Sequence, residues 1–253
     1  MPRAARIKSS TGIYHLMARG IHRQNIFSSE EDNIRFLNTL GKYCKKSFCE
    51  IYAYCLMGNH FHLLLKEGQE PLATTIKRIG TSYVFYYNWK YNRKGHLFQD
   101  RYKSEPVEDD DYFFTVLRYI HLNPLKAGLT NNLASYPYSS YSEYTNQAKL
   151  TNTSFVLKLF SHDQEQAISR FINFHYQSNN DQCLDIPKER ETLSDQRIIQ
   201  LSYQKYNIEL ATLYTKKTED KRKILRYLKE LKGCSLRQLS RLTGLPVNQI
   251  IRA

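Results

Sequence analysis

Residues 50–66 constrain this chain more than any other stretch: two apolar segments, Glu50–Met57 and His60–Lys66, are separated only by Gly58-Asn59. A two-residue Gly/Asn link between such segments is a hairpin signal, so the two pair as antiparallel strands and a sheet is built around them. The second strand opens with His60-Phe61-His62. Successive side chains on a strand point to opposite faces, which puts both imidazoles on one side and Phe61 into the packing on the other. Two neutral imidazoles at adjacent same-face positions can share one divalent metal. The alternative is a strand that simply carries two satisfied histidines.

The remaining elements follow from the same patterning. Ile13 to Ala18 alternates as a strand. Ser28-Ser29-Glu30-Glu31 caps a helix whose apolar positions are Ile34, Leu37, Leu40 and Tyr43. A long helix covers roughly Leu72 to Tyr91, with Ile76, Ile79, Tyr83 and Tyr86 or Tyr87 on its packing stripe. Tyr86, Tyr87 and Trp89 read as packing aromatics of that helix. Phe98 to Val107 reads as a returning extended segment. Asp109-Asp110-Asp111 opens a helix from Tyr112 to about His121, which Pro124 stops soon after. The order β-α-β-β-α-β-α defines an α+β fold, an antiparallel sheet with helices packed on one face.

Charge narrows the partners. The 253-residue chain is 41% apolar and carries a net charge of +13. Residues 1–130 hold +7, residues 131–182 hold −1, and residues 183–253 hold +7. Two basic blocks around a neutral spacer fit two surfaces for a polyanion, and nucleic acid suits them better than a membrane. No apolar run approaches the ~20 residues of a transmembrane span, and the N-terminus lacks a signal-peptide core. Cys44, Cys49, Cys55, Cys183 and Cys234 are odd in number and irregularly spaced. They read as a reduced, cytoplasmic complement rather than a disulfide framework.

A second constellation lies on the last helix of this first block. Tyr119 and Asn123 are four residues apart and share one face if the final turn persists. An amide oxygen of Asn123 can then supply a third metal ligand beside the histidine pair, with Tyr119 standing next to it as a nucleophile. The alternative is a helix end where Asn123 satisfies terminal carbonyls and Tyr119 packs. Tyr112 is the main competitor as nucleophile. It lies two turns earlier, near the acidic helix start, a poor place to ionise a phenol.

Tyr14-His15 through Arg19-Gly20, His60-Phe61-His62, Leu97-Phe98-Gln99-Asp100-Arg101-Tyr102-Lys103-Ser104 and Arg118-Tyr119-Ile120-His121-Leu122-Asn123-Pro124 together resemble the REP-associated tyrosine transposases, members of the single-tyrosine HUH transposases of bacteria. The resemblance spans roughly residues 5–141, with the four motifs in the family's order. It implies a ferredoxin-like HUH domain that cuts and rejoins single-stranded DNA near hairpin repeats through a 5′-phosphotyrosine. His60 and His62 are then metal ligands for Mg²⁺ or Mn²⁺, Tyr119 is the nucleophile, and Asn123 lies at the third-ligand position. The rival reading is a non-catalytic DNA-binding protein that regulates or organises repeats. A hydrolase activating water would leave Tyr119 dispensable.

Other residues are candidates for DNA contact. Arg101 and Lys103 flank Tyr102 on an extended segment, where cations track a backbone while the ring stacks a base; a solvated strand edge is the alternative. Arg19 and Arg23 follow the first strand. Three regions are expected: the HUH domain over 1–145, a helical spacer and linker over 146–182, and a helical DNA-binding domain over 183–253. In the last, Ser235 caps a helix, Gly244 makes a turn and a second helix starts near Pro246, the pattern of a helix-turn-helix. Arg237, Asn248, Gln249 and Arg252 are its candidate DNA contacts. This block resembles the DNA-binding domain of the DnaA initiator. The expected partners are single-stranded and hairpin DNA, with duplex DNA at the C-terminal block, and a monomer is favoured.

Overall fold

In the computed structural model, residues 6–185, 193–231 and 233–253 are described. The chain divides into two compact units, Met1–Asp185 and Ile186–Ala253.

The first unit is built on a four-stranded antiparallel sheet of order β2-β3-β1-β4. Its strands are β1 (Ile13–Arg19), β2 (Glu50–Met57), β3 (His60–Lys66) and β4 (Lys103–Pro106). The Gly58-Asn59 hairpin forms as expected and pairs Met57 with His60. β1 inserts between β3 and β4, pairing Arg19 with His60 and Met17 with His62.

Alternation divides the sheet into two faces, each covered by helices. Leu16 and Ala18 of β1 and Phe61, Leu63 and Leu65 of β3 pack against α1 (Glu30–Ser47) and α2 (Leu72–Lys90). On the opposite face Tyr52, Ala53, Cys55, Met57 and Leu64 pack against α3 (Asp110–Lys126). Helices on a single face, the sequence expectation, therefore describe only α1 and α2. The apolar residues of β2 run without strict alternation because a register shift lies between Ile51 and Ala53, and that continuous burial marks a strand covered on both sides.

Local chemistry explains the helices. Ser29 and Asp32 form a reciprocal capping box at the start of α1. The buried stripe of α1 is Asn33, Phe36, Leu40 and Cys44, while Ile34 faces outward. On α2, Tyr83 and Tyr87 are buried, but Phe85 and Trp89 are each 77% exposed. Trp89 is thus not a packing residue. α3 does not stop before Pro124 but runs through it to Lys126. A proline in the last turn forfeits a single backbone bond, and the extra turn keeps Asn123 helical.

The region expected as a spacer belongs to this first unit. α4 (Tyr141–Thr145), α5 (Thr153–Phe160) and α6 (Gln164–Tyr176) extend the core on the α3 face through Tyr144, Val156 and Phe171. Tyr144 and Phe171 stack with ring centroids 4.5 Å apart. This region is therefore packed onto the first unit rather than running as a linker. Cys44, near the end of α1, is disulfide-bonded to Cys49 just before β2, so the reading of a wholly reduced set is corrected for this pair. The left-handed Phe48 between them turns the chain back and leaves their Cα atoms 4.8 Å apart.

The second unit is all-helical. It comprises α7 (Asp195–Tyr206), a 3₁₀ segment at Leu210–Thr215, α8 (Thr218–Glu230), α9 (Leu236–Thr243) and α10 (Val247–Arg252). Ile198, Leu213, Leu225, Leu228, Leu239 and Ile250 form its core. Ser235 caps α9, and Gly244, at φ 69°, ends it in the left-handed conformation that glycine adopts without strain. Among the described residues no helix is long and apolar enough to cross a membrane.

Candidate active site

The two sheet faces explain the placement of the histidines. Phe61 points into the α1/α2 core, so His60 and His62 point to the α3 side. There α3 lays Tyr119 across them: the His62 and Tyr119 ring centroids are 5.6 Å apart, and those of His60 and His62 are 5.2 Å apart. His15 of β1 joins the group, 6.0 Å from Tyr119 and 5.2 Å from His62 between ring centroids.

Hydrogen bonds orient these rings. His60 Nδ1 is 2.6 Å from Asn59 Oδ1, and His62 Nδ1 is 3.0 Å from His15 Nε2. His62 is fully buried, yet its Nε2 has no hydrogen-bond partner among the described residues. Burial holds all three imidazoles neutral: His60 is pushed down to about 4, His15 to about 3, and His62 well below the usual histidine range. A neutral ring with a buried, unpaired nitrogen is the form that ligates a cation.

Tyr119 is 5% exposed. Its phenol is raised well above the usual tyrosine value by burial and then by a hydrogen bond to the Asp185 carboxylate. The Asn123 amide acts in the opposite direction on that hydroxyl, and Asn123 Nδ2 also donates to the Tyr119 carbonyl at 2.9 Å. Lys126 Nζ lies 5.3 Å from the centroid of the Tyr119 ring. Tyr112, the competing tyrosine, donates to Glu105 and lies outside this group.

Asp185 was not among the residues singled out from sequence. It closes the first unit, at the end of a segment tied to α3 and β4. Arg118, the neighbour of Tyr119, holds Asp181 through two bonds of 2.6 and 2.8 Å, and Leu184 N donates to Glu105 at 3.1 Å. Nothing in the local pattern of residues 177–185 marks this return, which depends on α6 packing against α3. His15 was quoted only within a motif. Its central position on an apolar strand was the available signal.

The candidate DNA contacts vary. Arg19 lies beside His60 in the sheet register, and its guanidinium is bonded to Gln99 through Nε at 3.0 Å. Its buried Nη1 has no partner among the described residues. Arg23, Arg101 and Lys103 are exposed, as are Arg237, Asn248, Gln249 and Arg252 in the second unit. Tyr102 is less open than a stacking platform requires, because the Arg6 guanidinium lies 3.8 Å over its ring.

Residues 8–123 match the family described as transposase IS200 like. The chain is 29% identical to a Haemophilus influenzae protein described as a REP-associated tyrosine transposase, over 38% of this chain and 64% of that protein. A solved REP-associated tyrosine transposase bound to a REP hairpin is 16% identical, with a TM-score of 0.49 over 57% of this chain and 86% of that one. A transposase structure from Deinococcus radiodurans is 17% identical, with a TM-score of 0.34 over 47% and 95% of the two chains. That family match covers residues 8–123, less than half of the chain.

Proposed function

We propose that the first unit cuts and rejoins single-stranded DNA beside hairpin-forming repeats, with Tyr119 as nucleophile and Mg²⁺ or Mn²⁺ held by His60, His62 and Asn123. One observation carries this reading: the buried, unpaired Nε2 of a neutral His62 stands beside the phenol of Tyr119. In this reading the third donor is the amide oxygen of Asn123, one helical turn from Tyr119 on the same face of α3. When bound, the cation polarises the scissile phosphate and offsets the charge that develops on it.

The chain's own residues supply the remaining chemistry. Arg19, beside His60, has a guanidinium nitrogen available for a phosphate oxygen. Asp185 accepts the Tyr119 hydroxyl and takes its proton as the phenol oxygen attacks phosphorus. A bond forms between Tyr119 and the 5′-phosphate as the bond to the 3′ oxygen breaks, and that oxygen takes up the proton carried by Asp185 to leave a 3′-hydroxyl. Attack by a 3′-hydroxyl reverses the sequence and reseals a strand, which is why a tyrosine suits this reaction better than water. In the second unit, the exposed Arg237, Asn248, Gln249 and Arg252 on α9 and α10 suit a helix-turn-helix contact with duplex DNA.

The test is a single-stranded hairpin oligonucleotide labelled 3′ of the cut, incubated with Mg²⁺ or Mn²⁺ and run on a denaturing gel. The label is expected to migrate with the protein and to vanish in Tyr119→Phe. Cleavage without a protein-linked product would mean hydrolysis by water. Tight binding without cleavage would leave a regulator of repeats.

A further inference from the structure

Three residues form a cross-strand row on the α3 side of the sheet. Arg19 pairs with His60 in the β1/β3 register, and residues directly opposite share a face. On its other side the end of β1 meets the segment that precedes β4. Gly20 bridges Phe98, and Gln99 N donates to the Arg19 carbonyl at 2.9 Å, which sets Gln99 opposite Arg19. The order across the sheet is His60, Arg19, Gln99.

The last two side chains of this row are joined as well. Gln99 Oε1 accepts from Arg19 Nε at 3.0 Å and also from Nη2. A guanidinium has only N–H donors, so the amide atom that faces it is the oxygen and every proton is assigned. Gln99 thus meets Arg19 through both its backbone and its side chain. It clamps one edge of the fork and leaves Nη1 on the other, where it is buried without a partner among the described residues. Arg19 as a whole is only partly buried, so a strand can reach the guanidinium. Unpaired donors on a fixed cation suit an acceptor-only group, and a backbone phosphate is one.

We propose that Gln99 is a positioning residue: its carboxamide oxygen clamps the Arg19 guanidinium beside His60, in the orientation that meets a backbone phosphate of single-stranded DNA. This rests on the reading of Arg19 as a phosphate contact. Without the clamp, a long arginine side chain samples many rotamers, and each contact it makes carries the cost of ordering it. Gln99 is exposed and uncharged. Its effect reaches the strand through Arg19.

The test measures binding of the full chain to a hairpin oligonucleotide with a single-stranded flank over a series of salt concentrations. Each phosphate contact to a single strand adds roughly 0.7 to the steepness of log affinity against log salt. Arg19→Met should flatten the slope by about that much. Gln99→Leu removes no charge, yet it is expected to flatten the slope almost as far. In the double variant the loss should equal that of Arg19→Met alone. Because Gln99 is exposed, the urea midpoint of Gln99→Leu should stay near wild type. A wild-type slope in Gln99→Leu beside a flattened one in Arg19→Met would overturn this inference alone. So would losses that add in the double variant, since Gln99 would then act without Arg19. An unchanged slope in Arg19→Met, or a wild type that does not bind the oligonucleotide, would remove the phosphate reading of Arg19 and this inference together.

Discussion

Arg118 grips Asp181 in a two-bond ion pair, one residue along α3 from Tyr119. The guanidinium also lies 4.1 Å over the Phe174 ring and donates to the Phe174 carbonyl at 3.3 Å. The pair is nearly buried, with side-chain exposures of 12% and 8%. Breaking one side of such a pair leaves an uncompensated charge. Asp181→Ala is expected to destabilise the first unit by roughly 3 kcal/mol, measured as a lower urea midpoint, and a midpoint unchanged from wild type would contradict this account.

Asp185 offers a separate test of the proton's route. Asp185→Asn keeps the shape but removes the proton acceptor of Tyr119. Formation of the protein–DNA adduct is expected to slow by roughly 10²-fold, while Mn²⁺ affinity stays near wild type. Faster adduct formation in this variant would show instead that the carboxylate obstructs the incoming phosphate.

Acid should weaken the fold through its buried histidines. His121 bonds to His175 at 2.9 Å and to Ser140 at 2.8 Å, deep in the α3 face. Burial pushes His175 down to about 4 and His121 well below the usual range. The native state therefore binds fewer protons than the unfolded chain between about 4 and 6.5. Stability from this pair is complete above pH ~6.5 and is lost as pH falls toward the native value. The urea midpoint of the wild type is expected to drop across that window. His175→Gln should start lower and fall less steeply.

Trp89 reports on the opposite face. It is the only tryptophan of the chain and is 77% exposed, beside a groove also lined by Lys77, Arg93 and Arg101. Arg93 Nη1 is buried there without a partner among the described residues. A cationic groove with a free aromatic suits single-stranded nucleic acid. Single-stranded DNA is expected to quench the intrinsic tryptophan fluorescence, and Trp89→Phe should bind more weakly. Fluorescence unchanged at saturating DNA would confine the strand to the His62 face.

Much of this architecture is written in short-range patterns. Gly58-Asn59 sets the hairpin, period-two alternation puts His60 and His62 together, and four-residue spacing aligns Tyr119 with Asn123. What the sequence did not disclose depends on long-range packing. Whether α3 shares a face with α1 or takes the other is decided by which side of β2 is left uncovered, and β2 is apolar on both. The helices around Val156 and Phe171 looked like a spacer because their net charge is near neutral, although those two side chains are inserted into the α3 core. His15 and Asp185 join Tyr119 from far along the chain, so no local spacing predicts either.

The order in which the reactive group is put together has a consequence for the newborn protein. β1 and β3 deliver the imidazoles and α3 the phenol, but the carboxylate that meets the phenol arrives only with residue 185. On a ribosome, this cluster stays unfinished until the whole first unit has emerged. The phenol and the carboxylate meet last, when the rest of the unit can already be folded around them.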